Sequence, residues 1–154
     1  MKRLVVDANS LASGIVDPES DKPPRLLFEA IRNVGFEPVV CPKLLEELRR
    51  TLRQPYFRER IGTEEARKAV AQIERAAIRS EDPAKVDAVL RDRNDDYLLA
   101  LAREVSAEAI VTGDKDLLEH AGELEVAVLS AREACELLGL GKEREPEEAA
   151  EHKL

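Results

Sequence analysis

The chain has no tryptophan and only two tyrosines and three phenylalanines among its 154 residues. Its core must therefore be aliphatic, built from Leu, Val, Ile and Ala. Cysteine is equally sparse. Cys41 and Cys135 stand alone, neither in a CxxC pair, which argues against a disulfide scaffold or a zinc site and for two buried thiols in a reducing compartment. The two histidines, His120 and His152, are also isolated, so a histidine-based centre is not expected. No apolar run is long enough to cross a membrane, and the opening Met-Lys-Arg-Leu-Val-Val-Asp lacks the apolar stretch of a signal peptide. A cytoplasmic protein is expected. An excess of positive charge is missing too: the formal net charge is −8, and phosphate binding draws on Lys and Arg. An acidic protein is not the default nucleic-acid binder, although a local basic patch can still bind RNA.

What is present is a strand–helix alternation in a chain whose length suits one domain. Leu4-Val5-Val6 reads as a buried strand ending at Asp7. Residues 17–24 read as a loop, and 24–34 as a helix stopped by Gly35. A second strand is expected over 38–41, followed by a helix from Pro42 to about Arg53, which Gln54-Pro55 ends. Further helices are expected over 63–80, 94–106, 115–121 and 130–138, with strands at 109–112 and 125–129. Thr63 and Ser130 are the expected caps of two of them, and Gly139 the last stop. This alternation predicts an α/β domain over residues 1–140 with a central, mainly parallel sheet covered on both faces. Residues 141–154 are charged and poor in large apolar groups, and read as a flexible tail.

Ligands of such sheets bind beyond the carboxyl ends of the strands. Two acids, Asp7 and Asp114, directly follow expected strands there. Each has a plainer explanation as a helix cap. In the helix from Pro42, residues Leu44, Leu45, Leu48 and Leu52 form the apolar face, and helical geometry sets Glu47 roughly 110° from its centre and Glu46 roughly 150° away. Glu47 is the better candidate. Its plainer explanation is a surface carboxylate paired with Lys43 and Arg50 on the same stripe. In the helix from Asn94, Asp95 lies beside the face of Leu98, Leu101, Ala102 and Val105, whereas Asp96 points nearly away from it. Gly113 in Thr112-Gly113-Asp114-Lys115-Asp116 would permit a tight turn.

Two carboxylates 4 Å apart repel by about 4 kcal/mol at an effective dielectric of 20. A gathering of Asp7, Glu47, Asp95 and Asp114 therefore calls for a cation. Mg²⁺ and Mn²⁺ take oxygen ligands, while zinc prefers the nitrogen and sulfur ligands missing here. Such a site beside a phosphate suits metal-assisted hydrolysis.

Four ordered segments resemble those of PIN domains: Val-Val-Asp-Ala-Asn-Ser at 5–10, Leu-Leu-Glu-Glu-Leu at 44–48, Arg-Asp-Arg-Asn-Asp-Asp-Tyr-Leu-Leu-Ala-Leu-Ala at 91–102, and Ile-Val-Thr-Gly-Asp-Lys-Asp-Leu-Leu at 110–118. The branch they resemble is that of the VapC-like toxins of toxin–antitoxin pairs. The resemblance implies a three-layer α/β/α fold and an endoribonuclease using Mg²⁺ or Mn²⁺, with Asp7, Glu47, Asp95 and Asp114 as catalytic metal ligands. It adds Asp116 to the ligands and Asn9, Thr112, Asp92 and Asp96 as supporting residues. It also implies an RNA substrate, an antitoxin partner and a homodimer. Arg93-Asn94 stands where this branch often has Pro-Asp, a departure in the loop rather than in the acids.

The basic counterpart of the acids is the run from Arg49 to Arg60. Arg49, Arg50, Arg53 and Arg58, with Tyr56 interleaved, form the expected RNA-binding segment. A solvated helix face with both aromatics, Tyr56 and Phe57, in the core is the plainer reading of that run, and it suits Phe57 better. The alternative function is a non-catalytic module of the same fold that binds an antitoxin or RNA.

Overall fold

The computed structural model describes residues 1–84, 86 and 96–141, apart from the side chain of residue 123. Asp92, Asn94 and Asp95 therefore lie outside the described residues, as does nearly all of the expected tail.

Among the described residues five strands form one sheet: β1 (Arg3–Val6), β2 (Glu37–Val40), β3 (Ile78–Arg79), β4 (Ala109–Val111) and β5 (Ala127–Leu129). Their order is β3-β2-β1-β4-β5, and every pairing is parallel. The helices are α1 (Ala8–Ile15), α2 (Pro23–Arg32), α3 (Pro42–Leu52), α4 (Pro55–Arg58), α5 (Thr63–Ala76), α6 (Asp96–Glu104), α7 (Lys115–Glu119) and α8 (Ala131–Leu138). Together they make a three-layer α/β/α arrangement. α1, α2, α3, α5 and α8 pack on one another, and α6 lies against β1 and β4. Because both faces are covered, the central strands are apolar without alternation: Leu4, Val5, Ile110 and Val111 are fully buried.

The chain runs from β1 outward to β2 and β3, then crosses back to β4 on the other side of β1. The order of the sheet reverses at β1, so the crevice beyond its carboxyl end is where such sheets bind ligands. Register fixes that crevice. Val6 lies opposite Val111, and the Asp7 N–H continues the ladder by donating to the Val111 carbonyl at 2.9 Å.

The structure differs from the sequence reading at several points. The cap position of α5 is Gly62 rather than Thr63, with no side-chain bond capping it, and β5 begins at Ala127. α1 begins directly after Asp7, where Ala-Asn-Ser gave no apolar stripe. The Asp7 carboxylate itself starts the helix, its Oδ1 accepting the Ser10 N–H at 2.8 Å. α5 ends at Ala76, and Ile78–Arg79 pairs with Val39 and Val40 as a short edge strand. Pro55 ends α3 but also opens the one-turn α4, since its fixed φ suits a first helical position.

The ends of α2 and α8 follow the Schellman pattern. At α8, Ser130 and Glu133 form a capping box and Gly139 takes the left-handed conformation with φ 74°. At α2 the left-handed position is not Gly35 but Val34, with φ 57°. Val34 N–H donates to Ile31 and Gly35 N–H to Ala30, at 3.3 and 2.7 Å. Gly35 is selected for space instead, since a Cβ there would sit 3.2 Å from the Ala30 Cβ.

Close approach also explains Gly14. A Cβ at that position would lie 2.3 Å from the Pro24 carbonyl oxygen, so glycine lets α1 and α2 meet backbone to backbone. Arg25, itself buried, seals the contact by donating to the Gly14 carbonyl at 3.1 Å and pairing with Glu29 at 3.2 Å.

Two predictions come from this architecture. Val34 is β-branched, 66% exposed and left-handed, a conformation that costs L-residues roughly 1–2 kcal/mol. Val34→Gly should stabilise the protein by about 0.5–1 kcal/mol after the entropy of glycine is subtracted, read as a higher denaturation midpoint at unchanged slope; a lower midpoint would contradict the strain. The second concerns the thiols. Burial pushes Cys41 and Cys135 up to about 11, above the roughly 8.5 of an unfolded-chain thiol. Their contribution to stability is thus complete below that lower value and is lost as pH rises through the folded one. Both thiols should resist a thiol reagent at pH 8 until denaturant is added, whereas fast reaction in buffer would show that they are accessible.

Candidate active site

At the carboxyl edge of β1 and β4 lies an open cleft of about 610 Å³. Asp7, Glu47 and Asp114 all line it, with Asn9, Arg50 and Gln54 around them. Three of the four acids singled out in the sequence thus share one cavity; Asp95 falls outside the described residues.

Each acid is held by a different device. Asp7 is 9% exposed. Its Oδ1 accepts from Ser10, and its Oδ2 accepts the hydroxyl of Thr112 at 2.5 Å. Thr112 is fully buried, and its Oγ1 in turn accepts the Asp114 N–H at 3.0 Å. Asp114 then caps α7, its Oδ1 accepting the Asp116 N–H at 2.8 Å. Asp7 and Asp114 thus each cap a helix and also line one cleft, since a carboxylate has lone pairs enough for both tasks. Thr112 is the hinge of the arrangement, one hydroxyl serving both strand ends.

Glu47 is half-buried on α3, while Glu46 is exposed. The surface-pair explanation of Glu47 does not hold among the described residues. Arg50 pairs with Glu46 at 2.9 Å, and the Lys43 ammonium sits over the Tyr97 ring at 4.6 Å from its centroid. Glu47 Oε2 instead accepts the Tyr97 hydroxyl at 2.9 Å, from α6. The sequence reading missed Tyr97, although one of only two tyrosines beside a pair of acids was a usable signal.

Asp96 requires a correction. It was expected to point away from the buried face, yet it is only 2% exposed. The helical-wheel argument assumed one covered face. α6 is covered around most of its circumference, since Leu98, Leu99, Leu101 and Ala102 are buried with it. An acid opposite the apolar stripe is then as enclosed as one beside it.

The remaining candidates are divided. Asn9 is exposed at the cleft. Asp116 is not among the cleft-lining residues; its Oδ1 lies 3.3 Å from His120 Nε2, one turn on. Gly113 needs no special backbone: its φ is ordinary and a Cβ would meet nothing within 4 Å. The Thr112 hydroxyl holds that turn. Of the basic run, only Arg50 reaches the acid cleft. Arg49, Arg53 and Arg58 line a separate groove between α3 and α5, and Arg49 pairs with Glu74 at 2.7 Å. Tyr56 stands over a third cavity with Arg60.

The donor set of the cleft is all oxygen, which suits a hard divalent cation rather than zinc. Among the described residues, no three acidic, histidine or cysteine side chains are close enough to hold an ion as they stand. Also among those residues, no helix is long and apolar enough to cross a membrane.

Comparison with known proteins agrees with this topology. The crystal structure of PAE2754 from Pyrobaculum aerophilum superposes with a TM-score of 0.60 at 16% identity, over 90% of each chain. At that identity the likeness concerns the fold. No curated protein matches the sequence. The family model of the PIN domain matches residues 3–116, a span that takes in β1, α3, α6, β4 and the whole of the cleft's acidic lining described above. The chain belongs to the PIN-domain family, whose fold is a nuclease fold.

Proposed function

We propose that this protein is a Mg²⁺- or Mn²⁺-dependent endoribonuclease of the cytoplasm, acting as the toxin of a toxin–antitoxin pair and assembled as a homodimer. The observation that carries the nuclease reading is the shared cleft: Asp7, Glu47 and Asp114 face one cavity at the reversal point of the sheet, with hydrogen bonds fixing each carboxylate. The toxin role, the antitoxin and the homodimer rest on the sequence resemblance.

In this reading Asp7, Glu47 and Asp114 supply oxygen ligands, completed by Asp95 and Asp116, with Asn9, Thr112, Asp92 and Asp96 in support. The bound cation would lower the pKa of a water and offset the charge of the scissile phosphate. The protein's own part is to hold the ligands still. Ser10 and Thr112 clamp both oxygens of Asp7, and Tyr97 clamps one oxygen of Glu47, so little side-chain entropy is lost on metal binding. Arg50 and Asn9 at the cleft wall would contact the phosphodiester.

A cation that binds only the folded protein stabilises it by RT ln(1 + [L]/Kd), about 2.7 kcal/mol at a hundredfold excess over Kd. Mn²⁺ should therefore raise the melting temperature of the wild type, and Asp7→Asn should lose both that gain and RNA cleavage. If the variant keeps full metal stabilisation and full cleavage, Asp7 is a cap alone and the proposal fails. Metal stabilisation without cleavage of any RNA would favour the non-catalytic binding module.

Tyr97→Phe removes one hydroxyl and leaves the ring in the core. It should weaken Mn²⁺ binding by about tenfold, the lower range for loss of a group that orients a metal ligand, with the fold intact by circular dichroism. Unchanged affinity in a calorimetric titration would show that the Tyr97–Glu47 hydrogen bond has no bearing on the site.

A further inference from the structure

Tyr56 is one of the few large apolar side chains left in solvent, at 56% exposure, in a chain that otherwise buries its aromatic rings. It is not loosely placed. The Arg60 guanidinium lies over its ring, 3.6 Å from the centroid, and donates to the Tyr56 carbonyl at 2.6 Å. Phe57, buried beneath, meets the same ring edge to face at 4.9 Å. Two flat, π-bearing groups are thus stacked and anchored at the surface.

Their position is the second observation. Tyr56 and Arg60 line a cavity of about 530 Å³ that also includes Ser13, Pro24 and Lys22. Ser13 and Pro24 line the acid cleft as well. The two cavities are therefore neighbours, with Ser13 and Pro24 standing between them. Lys22, Arg25 and Arg60 bring positive charge to the second cavity against one acid, Asp17, while Arg50 on the cleft wall is paired with Glu46.

We propose that the Tyr56–Arg60 stack is a platform for one unpaired base of an RNA strand whose phosphodiester lies in the acid cleft. Every base has a π-face, and stacking on an aromatic or guanidinium plane reads that face without reading its edge. In a duplex the faces are already occupied by neighbouring bases, so the platform selects a single strand. It rests on the nuclease reading for the phosphodiester in the cleft, whereas the stacking of a base on the platform does not.

The test is binding of a fluorescein-labelled twelve-nucleotide oligoadenylate by the full chain in chelator, beside an abasic strand of the same length. Tyr56→Ala should weaken oligoadenylate binding by about tenfold, within the range measured for one stacked base, and leave the abasic strand unaffected. Tyr56→Phe should bind like the wild type. In Mn²⁺, Tyr56→Ala should raise KM for cleavage by a similar factor with kcat little changed. Equal weakening of both strands, no weakening of either, or no binding of single strands by the wild type would overturn the platform. Cleavage that persists with unchanged KM in Tyr56→Ala would overturn it too while leaving the nuclease reading intact. Base-dependent binding lost in Tyr56→Ala, from a wild type that cleaves nothing, would support the platform and overturn the nuclease.

Discussion

The cleft depends on one hydroxyl. Thr112 donates to Asp7 and accepts from the backbone of Asp114, so a single buried side chain joins the ends of two adjacent parallel strands. Its location follows from register: Val6 opposite Val111 brings the next residue of each strand to the same height. A neutral donor between two acidic positions satisfies a lone pair that would otherwise be desolvated, without adding charge. Strand pairing, helix capping and the gathering of carboxylates all meet at this point, so the site is a property of the sheet rather than of a loop laid over it.

That arrangement explains which features were readable beforehand. Asp7 and Asp114 follow apolar runs, and strand ends of a parallel sheet share an edge, so period and topology sufficed. The choice of Glu47 over Glu46 came from a one-sided amphipathic helix, where the wheel argument is sound. It failed for Asp96 because α6 is enclosed on several sides, and burial there is decided by neighbours remote in sequence. The hydrogen bond from Tyr97 to Glu47 spans fifty residues and leaves no local trace. α1 was illegible for a different reason: Ala8-Asn9-Ser10 carries no periodic signal, and the helix is set by its cap and by packing on α2 and α3.

An acidic protein can still present a path for a polyanion if its charges are sorted in space. Much of the arginine here is spoken for by glutamate: Arg49 with Glu74, Arg50 with Glu46, Arg67 with Glu64. The net charge therefore says little about the cleft, where Arg50 stands beside three carboxylates and Tyr56 and Arg60 lie next door. Field, shape and π-surface act over a few ångströms, whereas composition averages over the whole surface.

The ridge between the cleft and the neighbouring cavity traces to a missing atom. With Gly14, the α1 backbone touches the carbonyl of Pro24, and the wall shared by the two cavities is formed by Pro24 and Ser13, the neighbour of Gly14. A methyl group at 2.3 Å from a backbone oxygen cannot be absorbed by a rotamer change. Any larger residue would have to push α2 outward as a rigid body, carrying one side of the wall with it. The ridge between the two cavities is thus set by how closely two main chains approach each other.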